Sequence, residues 1–393
     1  MTEESSVPID TEGFGRALDE LRATMKAALG RRDLDHIRRM ERWGRLCSIT
    51  GYATAWIAPN PLSALLMSQG NVARWTIMVH HVGHGAFDRV PGVPRRYTSD
   101  RFAQGFRRYL DWLDWIIPEA WHQEHALHHY HTGEVHDPDL VEDNARLIRE
   151  LPTPSAFKYA AIGFFALTWK LSYYAPNTFQ TFCAARRRRA RLLGGERQRW
   201  LQVPQRSWSG SFNLLTEDGR EFWRRCVLPY GIFRFALLPA VFLPLGSFAA
   251  ANVLANSLLA EAMTNLHSFL IIATNHAGDD VHRFDTRARN RAEFYVRQVM
   301  GSVNLTDGGN DLNDFLLGYL NYQIEHHLFP DLPPLKYREF QRQVKAICAQ
   351  YGVPYVEDTL YRRARLCLRV ITGEDSMKRG PLVRRRSKSA FSA

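Results

Sequence analysis

The histidines of this 393-residue chain are where its chemistry is concentrated. Of fifteen, only His36 and His267 lie outside four clusters: His80, His81 and His84; the run from His122 to His136; His276 with His282; and His326 with His327. Within the second cluster, His125, His128 and His129 form HxxHH, which on a helix sets the first ring over the last two at i+3 and i+4. Gln323, His326 and His327 repeat that geometry as QxxHH. His80 and His84 share one helix face, while His81 points about 100° away. His276 directly follows a long apolar stretch and can complete the set from a helix end.

These positions supply eight imidazoles, with Gln323 as a further polar contact through its amide or a water. A single tetrahedral zinc uses at most four such ligands. Eight neutral nitrogens instead suit two metal ions, each with four imidazoles and an open position. Imidazole accepts zinc, copper, iron or nickel, so ligand type alone leaves the metal open. Two open redox metals beside apolar segments suit oxygen activation for cleavage of an unactivated C–H bond, a task for iron and not for redox-inert zinc.

The remaining histidines have lesser expected roles. His122, His131, His136 and His282 each lie beside a better-spaced candidate and are expected to support ligands from outside or to sit at the surface. His267 reads as a helix histidine with its hydrogen bonds satisfied, and His36, in a charged run, as solvated. Glu124, Glu134, Asp137, Asp139, Asp279, Asp280 and Glu325 are candidates to accept the second N–H of a ligand histidine and fix its tautomer. Asp137-Pro-Asp139 also has turn chemistry of its own.

The elements that must position these groups are apolar and helical. Leu46 to Val79 is apolar and broken by Pro59-Asn60-Pro61, a hairpin pattern. Leu228 to Thr274 is long enough for two more spans, with a crown around Gly246 to Asn252. Phe102 to Trp121 carries Tyr109, Trp112, Trp115 and Trp121, suiting either a headgroup boundary or an aromatic core. If Phe157 to Phe182 crossed a bilayer, the last histidine pair would face away from the first two clusters. Laid along the interface, it leaves all four clusters and the run Arg186 to Arg189 on the cytoplasmic face. The expected fold is therefore an all-α membrane protein: two transmembrane helical hairpins, an interfacial helix, and a cytosolic helical cap carrying the histidines.

Around this domain, placed at 46–371, residues 1–45 read as a polar segment with an amphipathic surface helix bearing Leu18, Leu21, Met25 and Leu29. Residues 372–393, with Arg384 to Arg386, read as a basic disordered tail. The mean hydropathy of −0.31 requires much of the chain to be in water. The net charge of +11 calls for an anionic neighbour. Lacking any zinc-finger spacing or RNA-binding aromatic signature, the sequence favours membrane lipid over nucleic acid. The five cysteines are scattered and odd in number, which reads as reduced and structural. The acidic, polar start is unlike a cleaved export signal, so the site is expected to face the cytoplasm.

His80-His-Val-Gly-His84, His125-Ala-Leu-His-His129, Asn275-His276 and Gln323-Ile-Glu-His-His-Leu-Phe-Pro330 together resemble the histidine boxes of the membrane-bound fatty acid desaturases, within the wider di-iron superfamily. The resemblance runs from about residue 45 to 356, and Gln323 at the head of the third box is similar to the acyl-lipid and front-end subgroup. It implies two irons, O2 as co-substrate, and a fatty acyl lipid, acyl-CoA or acyl-carrier substrate threaded to the metals. No His-Pro-Gly-Gly haem motif and no Gly-rich dinucleotide fingerprint is present, so no bound haem or flavin is expected. Electrons are then expected from an external ferredoxin or cytochrome with its reductase, for which the basic stretch Arg186 to Arg225 is a candidate dock. The alternatives are a hydroxylase or ketolase on a carotenoid, sterol or alkane using the same iron centre, and a non-catalytic membrane metal-binding protein.

Overall fold

The computed structural model describes residues 9–194 and 208–380, and within them the chain is mostly helical. Helix Arg31–Ala55 runs to a turn at residues 56–60 and packs side by side with the helix that starts at Pro61. Asn60 caps that second helix by accepting from Ser63 N at 2.7 Å, with Pro61 at the first helical position, where no amide is missed. Asn256, from helix Ser247–Ile272, pins the turn: its Oδ1 accepts Asn60 N at 2.9 Å and its Nδ2 donates to Ala55 O at 2.8 Å. The turn expected at Pro59-Asn60-Pro61 is thus present and held from the side.

The second apolar pair bends at Gly246, whose φ of +111° is open to glycine and strained for other residues. Before it lies Glu217–Leu245, and after it Ser247–Ile272. Among the described residues, Glu217–Leu245 is the one helix long and apolar enough to cross a membrane. The four spans expected from the sequence are therefore not matched in apolar length. Ser247–Ile272, for example, carries Asn256, Glu261, Thr264 and Asn265, all buried and used in side-chain hydrogen bonds between or along helices.

Residues 157–182 fall within one unbroken helical stretch, Ser155–Trp169, a π turn at Lys170–Tyr174, and Ala175–Leu193. Its first part lies beside Ser247–Ile272 with Ile162, Ala166 and Trp169 inward, and its last part lies beside helix Pro118–His131. Lys170 is fully buried, ion-paired with Asp114 and set over the Trp75 ring at 5.1 Å.

The tryptophans of 102–121 are core: Trp112, Trp115 and Trp121 are buried, while Phe106, Tyr109 and Leu110 are exposed. This stretch breaks into short turns before Pro118 starts a new helix.

Three expectations at the ends of the chain need correction. Helix Thr11–Ala27 is not a surface element, because Phe14, Leu18 and Met25 are fully buried against helices Arg291–Met300 and Pro334–Tyr351. No break occurs at residue 45, since Arg31–Ala55 is one helix, and His36 on its inner face is buried against Tyr319, its Nε2 2.5 Å from the hydroxyl. Order also extends beyond 372: Met377 is buried and Lys378–Arg379 pairs in parallel with His282–Arg283. A second parallel pair joins Asn304–Leu305 to Glu357–Asp358, so the cap is not purely helical. Arg384 to Arg386 lie outside the described residues. All five cysteines are free.

Candidate metal centre

His80 follows a π-helical segment, Ala73–Val79, that continues the helix from Pro61. A π turn shifts the residues after it around the helix axis relative to a regular α-helix, and here it sets the aim of the first histidine pair. Helix Pro118–His131 carries the second box, and the chain turns just after it at Gly133, which has φ +72°. A Cβ there would sit 2.8 Å from His282 O, so the turn that returns Asp137 towards the helix needs glycine. The third box is the short helix Gln323–Leu328, and His276 ends a 3₁₀ turn after Ser247–Ile272.

These four elements bring the predicted ligands into two adjacent groups. His80, His84, His125, His129 and His326 form one, and His128, His276 and His327 the other, with the ligand-capable atoms of each group within 4.8 Å of one another. The helical repeat divides each box between them. His125 and His129, four apart, turn to the first group while His128 turns to the second. In the third box, Gln323 and His327 turn to the second group while His326 turns to the first. The division is five and three, not four and four, and Gln323 occupies the place where a fourth imidazole would join the smaller group.

Within the larger group the inward atoms crowd together: His80 Nε2 is 2.8 Å from His326 Nε2 and 3.0 Å from His125 Nε2, which is 3.2 Å from His129 Nε2. In the smaller group the outward nitrogens are held by acceptors. His128 Nδ1 meets Asp137 Oδ1 at 2.8 Å, His276 Nδ1 meets Gly301 O at 3.0 Å, and His327 Nδ1 meets Gln298 Oε1 at 3.0 Å. An acceptor at Nδ1 keeps the proton there and turns the Nε2 lone pair inward, the arrangement a metal ligand needs. Gln323 Nε2 lies 2.8 Å from His276 Nε2 and 3.2 Å from His327 Nε2, while its Oε1 is buried without a partner. Turning the amide over would present that oxygen to the same space.

Burial keeps these rings neutral. Desolvation depresses His80, His84, His125, His129, His326 and His327 well below the ordinary imidazole range, and neighbouring imidazoles add to it. His276 is pushed down to about 3, again chiefly by burial. His128 is the exception: burial opposes its charge, but the Asp137 carboxylate and its hydrogen bond outweigh that and raise it. Converging neutral nitrogens in a buried space, with His84 Nε2 and Gln323 Oε1 unpartnered, fit a pair of cations better than they fit one another's hydrogen bonds.

The other histidines stand apart from the groups. His81 stacks on His80 at 4.9 Å and faces Tyr337, with neither nitrogen partnered. His122 and His136 are exposed, and His131 contacts Glu134 Oε2 at 2.8 Å. His267 Nε2 reaches Leu316 O at 2.8 Å, a satisfied helix histidine, and His282 belongs to the strand pair with Lys378. Of the seven carboxylates, Asp137 accepts from a grouped histidine and also takes Gly133 N and Asp139 N. Glu325 instead accepts from Tyr355 at 2.6 Å and Asn304 at 2.8 Å, Asp280 pairs with Arg363, Glu134 with Arg297, and Asp279 is exposed. Glu124 takes Asn177 at 3.2 Å and lies with Asp139 beside His125. Gln298 and Gly301 were not foreseen. Their helix, Arg291–Met300, and the residue after it carry no motif, and only tertiary contact reveals them.

A cavity of about 340 Å³ opens onto both groups. Its lining joins His80, His125, His128, His276 and Gln323 to the apolar side chains of Ile148, Ile162, Phe165, Trp169, Phe269 and Ile272.

Comparison with known proteins finds relatives in one family. The chain is 35% identical over 107 residues to the NADPH-dependent stearoyl-CoA 9-desaturase of Mycobacterium tuberculosis, covering 26% of this chain and 25% of that protein. It is 26% identical over 270 residues to the Delta(6)-fatty-acid desaturase fat-3 of Caenorhabditis elegans, covering 66% of this chain and 52% of that protein. It is 52% identical over 42 residues to fatty acid desaturase 3 of Bos taurus, 11% of this chain and 10% of that protein. The match thus spans about a quarter to a half of the two longer-matching relatives. The fatty acid desaturase model matches residues 54–359, which takes in every grouped histidine, and the chain belongs to that family of oxidoreductases.

Proposed function

We propose that this protein is an oxygen-dependent di-iron acyl desaturase that works in a membrane with electrons from an external carrier. The observation that carries this reading is the cavity: one apolar space is lined by imidazoles of both groups, so a hydrocarbon chain lying in it would present methylene groups to the metals. His80, His84, His125, His129 and His326 would hold one iron, and His128, His276, His327 and Gln323 the other, Gln323 through its amide or a water. The irons supply oxygen activation. In balance, one O2, two electrons and two protons take two hydrogens from adjacent methylenes, forming one C=C bond and two waters.

The protein's own residues orient, shield and hold protons. Asp137, Gly301 O and Gln298 hold the Nδ1 protons of the smaller group. Trp121 and Trp169 help to wall the cavity with apolar rings. In this reading Glu217–Leu245 crosses the bilayer, the helices paired at residues 56–60 and 246 enter it as two hairpins, and residues 157–182 lie along its boundary. The histidines then face the cytoplasm. In the described part of the candidate carrier dock Arg186 pairs with Glu221 and Arg187 with Asp218, while Arg189, Arg191 and Arg224 are exposed.

Lipid profiling of a host expressing the chain, with and without a ferredoxin and its reductase, tests the reading. A fatty acyl product two hydrogens lighter supports it. A product heavier by one oxygen would identify a hydroxylase instead.

A further inference from the structure

Resting on the desaturase reading, we infer that the acyl chain enters sideways from the bilayer, still attached to a membrane lipid, and not as an acyl-CoA from water. Of the described residues lining the cavity, Leu147 is the exposed one, at 83%, which puts the mouth between residues 141–150 and helix Ser155–Trp169. That helix has two apolar faces. Ile162 and Trp169 face the cavity, while Phe157, Phe164 and Leu167 form an outward stripe at 68%, 58% and 44% exposure, continued by Leu151. An outward apolar stripe beside an apolar mouth suits hydrocarbon surroundings, because in water it would form an unpartnered patch.

The charges at the mouth point the same way. Coenzyme A carries a diphosphate and a further phosphate, which proteins hold with Arg and Lys. Among the described residues no Arg or Lys lines the cavity, and the one carboxylate that does is Asp139. The cations within residues 141–158, on either side of the mouth in sequence, are already engaged. Arg146 pairs with Glu150 at 2.7 Å. Arg149 is tied to Glu142, Val370 O and Ser376, and Lys158 to the carbonyls of Arg149 and Thr372 at 2.8 and 2.9 Å. Arg149 and Lys158 thereby fasten the end of helix Leu360–Thr372 and the residues after it, and Ile371 of that helix also lines the cavity. A lipid needs no such anchor, since its headgroup stays in the membrane surface while the chain slides past Leu147.

Photolabelling of the full-length protein in phosphatidylcholine vesicles tests this without turnover. One probe is a phosphatidylcholine with a diazirine on its acyl chain, and the other is the matching diazirine acyl-CoA. Lipid adducts on Leu147, Ile148 and Phe165 are expected. Leu147→Arg, at an exposed position, should cut cavity labelling about tenfold by placing a charge across an apolar path, with iron content unchanged. The inference is overturned if the cavity is labelled only by the CoA probe, or if the lipid probe marks only the outward Phe164 and Leu167. A labelled cavity with no new double bond in lipid profiling would sink the desaturase reading and leave the portal standing.

Discussion

Gln298 holds His327 by its outer nitrogen: Oε1 lies 3.0 Å from His327 Nδ1, and the Nε2 of the same amide donates to His129 O at 3.2 Å. One buried amide therefore fixes a ring of the smaller group and the backbone of the helix that serves both. Gln298→Ala should weaken metal binding by about 10- to 100-fold, the usual effect of losing an outer partner of a metal histidine. Iron stoichiometry during chelator titration measures it. Unchanged retention would mean that Thr132, whose Oγ1 is also 3.0 Å from His327 Nδ1, suffices.

Grouped and ungrouped histidines should separate cleanly on mutation. His128→Ala and His327→Ala should each abolish desaturation and lower the iron content. His267→Ala should leave both intact, because His267 bonds Leu316 O outside the groups. Full activity in a His128→Ala/His327→Ala double variant would refute the assignment.

Acid should destabilise the fold through His36. Burial pushes this ring down to about 3, so the native state refuses a proton that the unfolded chain accepts near 6.5. Its contribution is fully present above pH 6.5 and is lost as pH falls from there towards 3, at up to about 1.4 kcal/mol per pH unit. Denaturation of the metal-free protein at stepped pH reads the slope, and His36→Gln should make it shallower.

The buried pair between Lys170 and Asp114 should behave asymmetrically. Asp114→Asn or Lys170→Met alone leaves an uncompensated buried charge, with an expected loss of about 3–5 kcal/mol. Replacing both by apolar residues, as Asp114→Leu with Lys170→Met, should recover most of it. Thermal unfolding in detergent distinguishes these outcomes, and equal losses in the single and double variants would argue against a pairing role.

What the sequence determined by itself was the local chemistry. The spacings at His80 and His84, at His125 to His129 and at Gln323 to His327 give a fixed angular relation on a helix, so eight histidines and Gln323 stand out as candidates without a structure. The turns at Pro59-Asn60-Pro61 and near Gly246 were legible for the same reason, being set by neighbouring residues. Tertiary structure decided everything that depends on which faces meet. It split the eight candidate histidines five and three, brought Gln298 and Gly301 behind His327 and His276, buried His36 and the helix Thr11–Ala27, and turned the tryptophans of 102–121 into core. It also showed that polar side chains within one of the expected apolar stretches, Ser247–Ile272, are used between neighbouring helices. A polar residue in an apolar stretch looks the same in sequence whether it meets water, lipid or another helix, and only its packed partner tells them apart.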